Sequence, residues 1–383
     1  MRKPAIVSII PTLYEGGAQK FAADLSFGLS KEFDHSFACY NSSEHEYDHA
    51  GCVIDLNIPE RQDIFGKLRR QWQLLQAFKK LKRQTRPDVS ISHLLMPNML
   101  NVWSQNKEVT LCVLHGEWSV RTGRSRWLDL LVGRSYRKAD CIVSVSHYIK
   151  EMFDAQYKLP NRHHVIYAGI DIGSVIQKTL EPKPLGLPET YVVYVAGFRP
   201  VKNHLQLITH LEEYLKSNHK HLVLVGDGPL RPEIETLIRS RGLTSHVVLM
   251  GNLTNPYPVI ANAKASLMVS SSESFSLVVV ESMALGVPVI ATDCGGPREI
   301  LLPNRKQEVI LPFQNENGVL IPKPNEWTSD TLPRQLDMLF SKEEVWQRLS
   351  ENGKERAKHF SMERSEKAYR KLIHDIIAKP RSI

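Results

Sequence analysis

Residues 267–299 read LMVSSSESFSLVVVESMALGVPVIATDCGGPRE. An apolar run ends in three serines, 270–272, and Glu273 follows. A segment of helical character then carries Glu281, and the chain re-enters an apolar strand, VPVIAT (287–292), before the glycine pair Gly295-Gly296. Strand, loop, helix and strand within one short stretch is the repeating unit of a parallel α/β sheet. Such sheets bind ligands at the carboxyl ends of their strands. Glu273 and Glu281, eight positions apart, flank one of those ends. A carboxylate pair suits general acid/base hydrolysis, and it equally suits binding of sugar and ribose hydroxyls. Each glutamate taken singly is also an ordinary helix-capping or solvated residue.

The same alternation extends in both directions. In the second half, strands are expected at 191–197, 221–229, 247–251 and 319–324, with helices between them and at 329–340, 342–359 and 362–378. In the first half, the apolar runs at 4–10, 35–40, 52–56, 88–94, 109–115, 141–146 and 164–172 read as strands. The segment IQKTLEPKPLGLPET (176–190) carries three prolines and no periodicity, so a linker is expected there. A chain of 383 residues is long for one core, and two doubly wound α/β domains follow.

Composition narrows the class. Apolar content of 42% and charged content of 23% are those of a soluble globular protein, and no run approaches the roughly 20 apolar residues that span a bilayer. A cytoplasmic location is expected. The five cysteines (39, 52, 112, 141, 294) show no CxxC pairing, so reduced core thiols are expected, without disulfides or a zinc site. The formal net charge of +8 is concentrated: residues 67–138 hold fifteen Lys/Arg against four Asp/Glu. An anionic partner follows.

The core of that basic region is KLRRQWQLLQAFKKLKRQTR (67–86). Leu68, Trp72, Leu75, Phe78 and Leu81 form a helical apolar stripe, expected to face the sheet. Eight Lys/Arg and no carboxylate occupy the remaining positions, against the usual i,i+4 pairing of exposed helices. Two readings stand: a solvated surface helix, or a face presented to an anionic membrane at the inner leaflet. A second basic segment lies at 120–138 around Trp127.

Other candidate ligand contacts cluster after strands. Gly16 and Gly17 follow the first strand and open a helix, which allows close backbone approach to an anion; a plain βα turn without a ligand is the other reading. His115 ends an apolar strand, and so does His93. Arg199 and Lys202 follow the strand 191–197, supplying a planar fork and a point charge for phosphate oxygens. Gly226-Asp227-Gly228 makes a tight turn after the next strand.

These residues resemble the retaining glycosyltransferases of family 4 (GT4), which have the GT-B fold. The resemblance is carried by Glu273-Ser-Phe-Ser-Leu-Val-Val-Val-Glu281, similar to the family's E-x7-E motif, and by ALGVPVIAT (284–292), Gly295-Gly296 and Glu299. GFRPVKN (197–203), VGDGP (225–229), GNLTNPY (251–257) and the N-terminal GGAQ also fit. Phe198 stands where the family usually has an arginine, with Arg199 one place on.

The resemblance implies two Rossmann-like domains facing across a cleft: 1–175 for the acceptor, the linker 176–190, 191–360 for the nucleotide-sugar, and a helix in 361–383 crossing back to the first domain. It implies that Arg199 and Lys202 bind the donor diphosphate and that Glu281 binds ribose. Gly16, Gly17, Gly226, Asn252, Phe275, Ser276 and Leu277 would complete the donor contacts, with Glu273 and His115 as the catalytic residues beside the transferred sugar. The nucleotide-sugar, UDP-linked by expectation, is a substrate, and neither metal nor cofactor is expected. The acceptor is expected to be a lipid-linked or other glycan of bacterial surface polysaccharide synthesis. A non-catalytic carbohydrate- or polyanion-binding protein on the same scaffold is the alternative. A nucleic-acid partner is not expected, for lack of a recognised motif, and GGAQK lacks the third glycine of a dinucleotide fingerprint.

Overall fold

The computed structural model describes residues 2–14, 16–42, 47–61, 63–116, 126–159 and 162–378. The chain forms two compact α/β units, Met1–Gly169 with Met362–Ile383, and Ile170–Ser361.

The first unit contains β1 (Ala5–Ile10), α1 (Gly17–Glu32), β2 (Asp34–Cys39), β3 (Cys52–Asp55), α2 (Ile64–Thr85), β4 (Val89–His93) and α3 (Leu95–Trp103). It continues through β5 (Val109–Leu114), α4 (Arg126–Lys138), β6 (Cys141–Ser144), α5 (His147–Tyr157) and β7 (His163–Val165). Its seven-stranded sheet has the order β3-β2-β1-β4-β5-β6-β7, with every pairing parallel. The strands are buried on both faces, which is why they read as continuous apolar runs rather than alternating ones.

The second unit contains α6 (Ile172–Lys178), β8 (Val192–Val195), α7 (His204–Ser217), β9 (Leu222–Val225), α8 (Arg231–Ser240), β10 (Val247–Gly251), α9 (Tyr257–Ala261) and β11 (Ala265–Met268). Then come α10 (Leu277–Ala284), β12 (Val289–Thr292), α11 (Gly296–Leu301), β13 (Phe313–Gln314), β14 (Val319–Ile321), α12 (Pro333–Ser341) and α13 (Glu343–Ala357). The order is β10-β9-β8-β11-β12-β14-β13, and only the short edge strand β13 is antiparallel. Residues 176–190, read from their prolines as a linker, lie inside this unit, and its division from the first falls at Gly169. The last helix, α14 (Met362–Ala378), belongs to the first unit. Tyr369 is buried against Phe21 of α1 (6.1 Å between ring centres), and Ser365 donates to the Tyr167 carbonyl at 2.7 Å.

In both sheets the strand order reverses beside a central strand, between β1 and β4 and between β8 and β11. Loops leaving the two strands at such a point diverge to opposite faces and open a crevice, the general ligand position of these folds. The first unit therefore offers the segments after Ile10 and His93, and the second those after Val195 and Met268.

Helix α2 departs from expectation in two ways. Its apolar stripe does not face the sheet along its whole length. Leu74, Phe78 and Leu81 are buried against Val7, Ile9, Ala38 and Tyr40. Ile64, Phe65, Leu68 and Trp72, however, are 63% to 85% exposed. Length explains the split: 22 helical residues span about 33 Å, whereas strands of four to six residues span roughly 13–20 Å. The amino-terminal half overhangs the sheet. Second, Lys82 is not on the basic face. It is buried, paired to Glu108 at 2.8 Å and donating to Asn101 Oδ1 at 2.6 Å. Of the basic segment 120–138, residues 120–125 lie outside the described residues and the remainder forms α4, with Trp127 exposed. Four of the five free cysteines are buried; Cys52, on the edge strand β3, is exposed rather than core. No helix among the described residues is long and apolar enough to cross a membrane.

Candidate functional site

In the second unit, the loops after β8 and β11 are laced together. Phe198 is fully buried, its ring 4.7 Å from that of His204, and its N–H donates to the Asp227 carbonyl at 2.9 Å. The position after Gly197 is thus spent on the core, and the cation falls one place later on the exposed Arg199. Residues Pro200–Lys202 make a single 3-10 turn, ended by Asn203 in the left-handed region (φ 54°). Asn203 Nδ2 donates to the Val269 carbonyl and to Ser271 Oγ, both at 2.8 Å, and Ser271 N–H donates to the Val201 carbonyl at 2.8 Å. Tyr194 Oη donates to the Lys202 carbonyl at 2.8 Å. This scaffold carries Lys202 Nζ to Glu273 Oε1, in a half-buried ion pair. Ser270 Oγ donates to the same oxygen at 2.9 Å.

Glu273 is held from behind as well. Its N–H donates to the Cys294 carbonyl at 3.2 Å, and Gly296 N–H donates to the Glu273 carbonyl at 2.9 Å. A Cβ on Gly296 would lie 2.3 Å from Phe275 Cα, so only glycine allows this approach. The side chain of Phe275 is buried against Phe360, 5.4 Å between ring centres. Only its backbone remains for a ligand. Ser276 precedes α10 at φ 83°, a left-handed strain that persists where the surroundings over-determine it. Its hydroxyl makes no capping bond, and the first turn of α10, beginning at Leu277, holds no acidic residue, as an anion-binding helix start requires. Glu281 is buried and accepts a hydrogen bond from Tyr257 Oη at 2.9 Å. Gly226 makes the turn after β9, its N–H donating to the Gly251 carbonyl at 2.8 Å, and Asn252 is exposed just beyond β10.

In the first unit, Gly16 (φ 121°) precedes Gly17 at the start of α1, again with no side-chain cap and no acidic first turn. One turn further on, Phe21 meets the edge of the His115 ring, 5.6 Å between centres. The helix that the expected glycine loop opens thus touches the expected histidine through Phe21. His93 joins it: its Nδ1 lies 2.9 Å from His115 Nε2. Sequence reading undervalued His93 and missed Tyr194, Asn203, Tyr257 and Ser270, whose roles arise only from long-range pairing. The serine run after β11 is the single local signal that could have marked Ser270.

The first sheet buries several imidazoles without charge. Burial holds His93 well below its ordinary range, pushes His115 down to about 3 and His35 down to about 4. Unfolded, each returns to about 6.5. Below that pH the unfolded chain binds protons that the folded chain refuses, so stability present at neutral pH is lost as pH falls from about 6.5 towards 4. The urea midpoint of the first unit is expected to fall steadily from pH 7 to pH 5. His35→Asn is expected to shallow that slope by about one proton. A midpoint that does not move over this range would contradict the assignment.

Comparison with known proteins places the chain in a family. The profile of "Glycosyl transferases group 1" covers residues 176–356, and that of "Glycosyltransferase Family 4" covers residues 15–174. A Campylobacter jejuni protein named N-acetylgalactosamine-N,N'-diacetylbacillosaminyl-diphospho-undecaprenol 4-alpha-N-acetylgalactosaminyltransferase is 27% identical over 81% of this chain and 86% of its own length. Sucrose-phosphate synthase from Thermosynechococcus elongatus superposes with a TM-score of 0.80 at 19% identity, over 98% of this chain and 99% of that one. Anabaena HepE, in complex with UDP and glucose, superposes with a TM-score of 0.76 at 18% identity, over 97% and 99%. The structural likenesses show a GT-B fold, and the two profiles together take in nearly the whole chain: it belongs to the family 4 glycosyltransferases.

Proposed function

We propose that this chain is a retaining glycosyltransferase that moves a sugar from a UDP-linked donor to a lipid-linked glycan in bacterial surface polysaccharide synthesis. The observation that carries the reading is the Lys202–Glu273 pair at the switch point of the second sheet, with Arg199 exposed beside it. An ammonium has three donors, so Lys202 can keep Glu273 while binding diphosphate oxygens. Arg199 and the amides at the start of α10 add positive potential for the same group. Glu281, steadied by Tyr257, binds ribose hydroxyls; Gly226, Asn252 and the backbone of Phe275, Ser276 and Leu277 frame the nucleotide. In the first unit, the Gly16-Gly17 amides are suited to phosphate oxygens and the His115 ring to a hydrogen bond with a sugar.

The reaction breaks the bond from the anomeric carbon to the phosphate oxygen and forms one to the acceptor oxygen on the same face. The acceptor proton passes to the departing nucleoside diphosphate. Charge accumulates on that leaving group, so preorganised cations there lower the barrier more than they strengthen ground-state binding. Glu273, paired with Lys202, faces the charge that develops on the sugar. A panel of UDP- and GDP-sugars with a polyprenyl-diphosphate glycan acceptor tests the reading. Transfer from a UDP-sugar, with retained anomeric configuration, is expected; absence of turnover and of nucleotide binding with every donor would overturn it. The lipid-linked acceptor is supported by the Campylobacter relative's name.

The overhanging half of α2 supports peripheral binding to an anionic membrane. Ile64, Phe65, Leu68 and Trp72 are exposed on the same stretch as Lys67 and Arg69. Apolar side chains enter the interface, while each basic residue near an anionic surface contributes about 1 kcal/mol. The protein is expected to sediment with phosphatidylserine or phosphatidylglycerol vesicles. Phe65→Ser with Trp72→Ser is expected to weaken that association at least about tenfold, given the apolar area removed. A wild-type protein that stays in the supernatant at physiological salt would remove this surface from the proposal.

A further inference from the structure

The parallel register of the first sheet sets His93 opposite Val113 of β5. Partners in register point to one face, and the side-chain period of a strand is two, so His115 falls on the same face as His93. The two rings lie 5.1 Å apart between centres, with His93 Nδ1 and His115 Nε2 at hydrogen-bond distance, 2.9 Å. His93 is 1% exposed, beyond the reach of a ligand. Immediately after it, Leu94 adopts φ 75°, an outlier for a bulky residue, and caps the start of α3. Such strain survives only where the surroundings impose it, and it clusters at functional sites. Two hydrogen bonds impose it here: Asn98 N–H donates to the Leu94 carbonyl at 3.0 Å, and Asn98 Nδ2 donates to the Val113 carbonyl at 3.0 Å. The turn is thereby tied to β5, which leads directly into His115.

We propose that His93 is a positioning residue for His115: it shares one proton between its Nδ1 and His115 Nε2, locks the His115 ring and tautomer, and leaves His115 Nδ1 as the nitrogen that meets the ligand. Phe21 packs edge-on against the same ring and closes another side of it. No described residue is bonded to His115 Nδ1. A neutral imidazole has one donor and one acceptor, so the state of the inner nitrogen dictates that of the outer one. Without His93, the ring would rotate and exchange tautomers, and His115 would present the wrong atom for part of the time. This inference rests on the transferase reading for its kinetic consequence but not for its hydrogen bond.

Two measurements test it. In the wild-type protein, imidazole nitrogen-15 spectra at neutral pH are expected to show a single fixed tautomer for His115 and a coupling across the hydrogen bond to His93 Nδ1. A tautomerically averaged His115 without that coupling would overturn the proposal, whether or not any donor is turned over. In kinetics, His93→Leu is expected to lower kcat on the order of ten- to a hundredfold, the scale of a misplaced group, with donor KM within about twofold. His93→Asn, whose amide reaches the place of Nδ1, is expected to restore most of that loss. Equal kcat in wild type and a folded Leu variant, or equal defects in the Leu and Asn variants, would overturn it. Should no donor be turned over at all, the transferase reading fails, while the spectra still decide the pairing.

Discussion

Replacing Lys202 with alanine is expected to lower kcat/KM for donor transfer by about two to three orders of magnitude, the usual cost of one preorganised charge at a developing anion. The fold should survive, because the loop is held by Asn203, Tyr194 and Ser271 rather than by the lysine side chain. The substitution also leaves Glu273 with the Ser270 hydroxyl and no ammonium beside it. Lys202→Arg keeps the charge but exchanges a compact ammonium for a wide planar fork. In a half-buried pair beside Ser270 that fork will not superpose, and activity between wild type and Lys202→Ala is expected. Coupled assays of nucleoside diphosphate release, with titrations of donor binding, separate the two effects. A Lys202→Ala enzyme within about threefold of wild type would dismiss the diphosphate role assigned here.

The second large effect lies far from any chemistry. Lys82→Met is expected to destabilise the first unit by about 3–5 kcal/mol, because it leaves Glu108 as an uncompensated buried carboxylate. In a unit of this size that corresponds to a fall in melting temperature on the order of 10 °C. The loss is not the value of the ion pair itself. Adding Glu108→Leu to Lys82→Met removes the stranded charge, and a double variant is expected to regain most of the lost stability. Asn101 is less affected in either case, since Ser90 Oγ also donates to its Oδ1 at 2.7 Å. Lys80→Met, on the exposed side of the same helix, supplies the comparison: a change within about 0.5 kcal/mol is expected. Calorimetry of the three variants is decisive, and a Lys82→Met protein as stable as Lys80→Met would refute the buried pair.

Much of the architecture was legible in the chain because its signals are local. Parallel strands buried on both faces leave apolar runs, their helices leave a 3.6-residue period, and the alternation of the two defines a doubly wound sheet. The stretch 267–299 displays all of this at once, and the structure draws β11, α10 and β12 from it. The glycines at 16, 17, 295 and 296 and the glutamates at 273 and 281 stood out because turns and helix starts have short-range signatures. The unit boundary was less legible. Prolines at 182, 184 and 188 looked like a linker but fall within the second unit, since proline marks an irregular path and not where contacts cease.

What the sequence by itself determined, then, is the set of elements and the residue types at their ends. Tertiary structure alone decided which of those ends meet and which faces stay wet. Lys202 finds Glu273 across 71 positions because the strand order reverses between β8 and β11. His93 finds His115 because two parallel strands share a register. One lysine of a basic helix becomes a buried charge paired to Glu108, and two apolar residues of the helix's stripe stay exposed because a long helix outruns short strands. Periodicity is a property of neighbours along the chain, whereas register, strand order and relative length act between segments far apart in it, and no local pattern encodes them.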